Sequence, residues 1–111
     1  NKNNAEFIML WKLFLTFKDI YPKLERDYHV KRLGLFGSYV RDEQTTVSDV
    51  DLLVTFSVKP SLFQFIELEN ILSDHLGIKV DLVMESSLKP RIGKQIKKEI
   101  VMIWKARTMN S

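Results

Sequence analysis

The sequence predicts an α/β fold. Three short runs alternate with period 2, and apolar stretches of helical period lie between and around them. The strand-like runs are Val30–Phe36, Asp49–Phe56 and Lys79–Met84. With 111 residues, 45% of them hydrophobic, the chain has enough apolar surface for one core and no length for a second, so residues 1–111 read as a single domain.

Taken in order, residues 5–18 form a helix that is apolar on nearly every side, through Phe7, Met9, Trp11, Leu13, Phe14 and Phe17. Two readings stay open for it: burial within its own domain, or an exposed half that docks a partner and builds a homo- or hetero-oligomer. Pro22 opens a short second helix that runs to Tyr28. After the first strand, Ser38 to about Glu43 turns helical, and Gln44–Ser48 is a polar loop. In the second strand alternation sets Asp49 and Asp51 on one face, with Val50, Leu52, Val54 and Phe56 on the other. Pro60 and Ser61 open a longer helix to about His75, with Leu62, Phe65, Ile66, Leu68, Leu72 and Leu76 mostly along one face, and Gly77 ends it. In the third strand Asp81 lies opposite Val80 and Leu82. A last helix follows Pro90, with an apolar stripe of Ile92, Ile96, Ile100, Ile103 and Trp104 opposite a basic stripe of Arg91, Lys94, Lys98 and Lys105.

Composition removes several functions. Cysteine is absent, so disulfides and thiolate metal sites are excluded, and His29 and His75 cannot build a zinc cage by themselves. The apolar run Phe7–Phe17 is interrupted by Lys12 and too short to span a bilayer, which favours a cytoplasmic protein with no membrane partner. The net charge of +3 is unevenly sorted: residues 1–41 sum to about +4, residues 42–85 to about −7, and residues 86–111 to about +6. An acidic centre between basic flanks suits a metal–phosphate site better than a nucleic-acid surface.

The most informative pattern is Gly37-Ser38, ten residues, then Asp49-Val50-Asp51. A strand ending in Leu-Phe-Gly-Ser makes a tight turn where Gly37 permits close approach, and free N–H groups with the Ser38 hydroxyl can face an anion. The aspartates supply the complementary half. Nucleotidyl transfer by in-line attack builds charge on both apical oxygens, which two divalent ions about 3.5–4 Å apart can stabilise when several carboxylates converge on them. Mg²⁺ suits such oxygen donors. Asp49 and Asp51 are therefore expected to be ligands shared by the two ions. Asp81 is expected to bind the ion that activates the acceptor hydroxyl, and to take its proton. Gly37 and Ser38 are expected to hold the β- and γ-phosphates, while Arg41 pairs with phosphate or with Asp42. Ser48 is read as a cap before Asp49 and not as a nucleophile, since no histidine lies near it in sequence.

This arrangement resembles the minimal nucleotidyltransferases of the DNA polymerase β-like superfamily. The resemblance extends through Lys31–Arg41, Ser48–Val54, Lys79–Val83 and Leu88–Gly93, nearly the whole chain. It implies the nucleotidyltransferase fold, a small mixed sheet flanked by helices, and Mg²⁺-dependent transfer of AMP from ATP. It is specifically similar to antitoxins encoded beside HEPN-type ribonuclease toxins, which silence the partner by adenylylating a tyrosine. One departure is Asp42, where the family often has glycine. Two alternatives remain: an antitoxin acting by contact alone, and nucleotidylation of a small molecule. Relatives of the latter type need an added domain to hold the acceptor, for which this chain has no spare residues, so a protein that presents its own hydroxyl is favoured and no direct nucleic-acid partner is expected.

Overall fold

A computed structural model describes the backbone of residues 4–41, 43 and 49–106, and side chains from Phe7 onward. The elements follow as α1 (Asn4–Phe17), α2 (Tyr21–Tyr28), β1 (Val30–Phe36), α3 (Ser38–Arg41), β2 (Val50–Phe56), α4 (Leu62–Leu76), β3 (Val80–Met84), a 3₁₀ turn (Glu85–Ser87), α5 (Pro90–Glu99) and β4 (Val101–Lys105). The four strands lie in the order β3-β2-β1-β4. β1 is antiparallel to β2 and to β4, whereas β2 and β3 are parallel, so the sheet is mixed as expected. The parallel pair requires a crossover, which α4 supplies.

Alternation decides which face of each strand enters the core. Leu33 and Leu35 of β1, Val50, Leu52 and Val54 of β2, and Val80 and Leu82 of β3 join one buried cluster with side chains of three helices. Those are Met9, Leu13 and Phe17 of α1, Tyr21, Leu24 and Tyr28 of α2, and Leu68, Leu72 and Leu76 of α4. Their i, i+4, i+8 spacing in α1 and α4 is what one helical face provides. Leu62 and Ile66, read as part of that face, instead stay exposed in the first turns of α4, as does Phe63. The opposite face of the sheet carries Asp51 and Asp81, and part of it lies under the segment from α5 to β4: Ile100 sits over Gly34, where a Cβ would strike its side chain.

α4 starts on a capping box, in which the Ser61 hydroxyl accepts from the Gln64 N–H and the Gln64 side chain accepts from the Ser61 N–H, both at 3.1 Å. Ser61→Ala is expected to cost about 1 kcal/mol, a fall of roughly 4–8 °C in thermal melting for a domain of this size. α4 ends at Gly77, whose φ of 75° suits a left-handed cap. The helix also closes one edge of the sheet. The outward N–H of Val80 donates to Ser73 Oγ at 2.9 Å, and that of Leu82 to Glu69 Oε2 at 2.8 Å.

One element departs from expectation. A single helix from Pro90 through Lys105 is corrected: α5 stops at Glu99, and Val101–Lys105 is an edge strand on β1. Ile100, Val101, Ile103 and Trp104 are β-branched or aromatic, and β1 would otherwise expose an open edge, so pairing outweighs the helical period. Asp42 and the Gln44–Ser48 loop lie outside the described residues. No described helix is long and apolar enough to cross a membrane.

Candidate active site

β1 delivers the chain to Gly37, whose φ of 84° is open to glycine and strained for other residues. Its carbonyl accepts from the N–H groups of Val40 and Arg41, both at 3.1 Å, which turns the chain into α3 with Ser38 as its first residue. A second constraint acts at the same residue: a Cβ added to Gly37 would run into the Asp51 carboxylate. The turn and the acidic strand are thus packed together with no room for a side chain between them.

Asp51 and Asp81 are register partners on the parallel strands β2 and β3 and point to the same face of the sheet. Their neighbours in sequence, Leu52 and Leu82, pair on the other face and anchor both strands in the core. Asp51 is partly buried and Asp81 is exposed. Burial pushes the Asp51 carboxyl up to about 6, with further upward pressure from the charges of Asp81 and Asp49, while Arg41 pulls the other way.

Gly37, Arg41, Asp51 and Asp81 line a single cleft of about 410 Å³. Ser38 and Asp49 stand beside it without contributing to its lining. Asp49 immediately precedes β2, and its Oδ2 is 3.8 Å from Lys79 Nζ. Among the described residues no three His, Asp or Glu side chains already stand in a metal-holding cluster. Arg41 is engaged by acids: Nε donates to Glu43 Oε1 at 3.0 Å, and Nη1 to both carboxylate oxygens of Glu99 at 3.0 and 3.2 Å.

The cleft's second wall is one that sequence reasoning missed. Leu88, Ile92, Gln95, Ile96 and Glu99 line it, all but the first from α5. Ile92, counted in the apolar stripe, is in fact 54% exposed on this wall. The signals for it were the resemblance through Leu88–Gly93, which did not say what those residues face, and Gln95 and Glu99, one turn apart and interrupting a basic helix. Arg91, Lys94 and Lys98 line a separate groove of about 520 Å³ that shares Gln95 and Glu99 with the cleft.

The chain is similar to known proteins over most of its length. The nucleotidyltransferase domain family matches residues 17–103. A protein adenylyltransferase of Thermococcus cleftensis, MntA, is 51% identical over 81 residues, covering 73% of this chain and 82% of that one. Among solved structures, an MNT antitoxin in complex with a tri-AMPylated HEPN toxin of Shewanella oneidensis superimposes with a TM-score of 0.61 at 26% identity, covering 85% of this chain and 73% of the other. A toxin–antitoxin structure with AMP-PNP shares the fold, with a TM-score of 0.66 at 24% identity over 88% of this chain and 74% of that chain.

Proposed function

Because this chain belongs to the nucleotidyltransferase family, we propose that it is an antitoxin enzyme that transfers AMP from ATP to a tyrosine hydroxyl of a HEPN-type ribonuclease toxin. The observation that carries the reading is the side-by-side pair Asp51 and Asp81, set against the Gly37 turn in an open cleft. Similarity to MntA supports protein as the acceptor, and likeness to an MNT antitoxin bound to an AMPylated HEPN toxin supports the partner.

The donor set fits a hard divalent cation. Burial first, and then the charges of Asp81 and Asp49, hold the Asp51 carboxyl above its ordinary range, and a bound Mg²⁺ would offset the cost of keeping it charged there. Asp51 and Asp81 would hold it, with Asp49 as the further ligand. When bound, the metal supplies charge neutralisation at the α-phosphate and makes the acceptor hydroxyl easier to deprotonate.

The chain's own groups do the rest. Backbone N–H groups at the Gly37 turn and the Ser38 hydroxyl take the β- and γ-phosphates, and Arg41 exchanges its carboxylate partners for phosphate. Asp81, the more exposed of the pair, faces incoming acceptor and takes the tyrosine proton as its oxygen attacks the α-phosphorus in line. Pyrophosphate leaves from the opposite side. Leu88, Ile92 and Ile96 offer an apolar wall against which the base or the tyrosine ring can lie.

The test is incubation with α-labelled ATP, Mg²⁺ and a HEPN-type ribonuclease toxin, taken from the neighbouring reading frame where that frame encodes one. Label is expected on the toxin at a tyrosine, and Asp81→Asn is expected to lower the rate about a hundredfold or more. An unlabelled toxin would sink the enzymatic reading, and toxin still neutralised by an inactive variant would shift the assignment to an antitoxin acting by contact.

A further inference from the structure

The two edges of the sheet are treated differently. At β3 the outward N–H groups of Val80 and Leu82 are satisfied by Ser73 and Glu69 of α4. At β4 no side chain among the described residues does this, and the strand pairs with β1 alone. β4 has no proline, but its register on β1 slips by one residue at Ile103, between Trp104 and Met102, and such a bulge turns an edge away from regular pairing.

Beside that edge lies a second unsatisfied surface. α1 buries Met9, Leu13 and Phe17, yet Phe7, Ile8, Trp11, Phe14 and Leu15 remain 45–68% exposed. At about 100° per residue, Phe14, Phe7, Trp11, Leu15 and Ile8 form one continuous arc that ends at Lys12. Phe7, Trp11 and Phe14 meet Met102 and Ile103 of β4 around a hollow of about 230 Å³. With Met102, itself 49% exposed, this patch leaves on the order of 600 Å² of apolar side chain in water, above the size usual for a surface without a partner.

We infer that this face joins two copies of the chain about a two-fold axis, with the two α1 arcs and the exposed Met102 side chains packing against each other. The patch is self-complementary: it carries both a hollow of side-chain size and the projecting Trp11 to fill its counterpart. The apolar area alone, on the order of 600 Å², is most of the roughly 800 Å² per partner that a stable interface buries. The cleft holding Asp51 and Asp81 is on the other face of the sheet and stays open.

Sedimentation velocity on the isolated full chain at about 50 μM should give twice the 13.1 kDa chain mass. Trp11→Glu and Met102→Lys, both at exposed positions, should each weaken the dimer at least a hundredfold and give the single-chain mass, with circular dichroism unchanged. A monomeric parent chain, or dimers that survive both substitutions, would overturn the inference. In the first case the face belongs to a different protein.

Discussion

Asp51→Asn is expected to reduce AMP transfer roughly a thousandfold while making the metal-free protein more stable at neutral pH. The two effects have one origin. In the folded chain the Asp51 carboxyl titrates at about 6, raised from 3.8 first by burial and then by Asp81 and Asp49. The folded state therefore holds this proton more tightly than the unfolded chain. Stability falls as pH rises from about 4 to 6, and the full cost persists above that. Asparagine carries no charge and escapes the cost. Because the cleft is open to solvent, a gain of about 1–2 kcal/mol is expected, or several degrees in melting temperature, fading as pH falls below 6. Thermal melts in chelator on both sides of that pH check it. Adding Mg²⁺ should stabilise the parent chain more than the variant, and equal shifts would remove Asp51 from the metal site.

Gly37→Ala is expected to be more damaging than any single change at the cleft's rim, because two penalties coincide. An alanine at a φ of 84° costs about 1–2 kcal/mol in backbone strain. Its Cβ would also displace the Asp51 carboxylate, misplacing the ligand pair and costing transfer roughly a hundredfold or more. Gly77→Ala is the natural control. That glycine has a similar φ of 75° but nothing within 4 Å of an added Cβ, so its variant pays the backbone cost alone and should keep full activity. If the two variants lose the same activity and stability, the contact with Asp51 has no functional consequence.

Much of the acidic site was legible before any coordinates. Period-2 alternation put Asp51 opposite Val50 and Leu52 in β2 and Asp81 opposite Val80 and Leu82 in β3, and the sheet then aligned Asp51 with Asp81 in register, while Asp49 precedes β2 and stays out of the cleft lining. Gly37 was legible as a turn, though its contact with the Asp51 side chain was not. Arg41 illustrates the limit. Sequence offered phosphate or Asp42, while its described partners are Glu43 and Glu99, the latter 58 residues away. The segment Val101–Lys105 was misassigned because a short apolar run fits helical and extended periods alike, and only an available neighbour chooses between them.

By itself the sequence determined three of the four strands and their facing, the α4 and α5 starts at serine and proline, and the gathering of aspartates near the Gly37 turn, because local periodicity and residue type carry that information directly. Tertiary structure decided the rest: that β4 closes on β1, that α5 walls the cleft, and that only one side of α1 is buried. Each of these depends on which surfaces are left unpaired once the sheet has formed, a quantity no local pattern records.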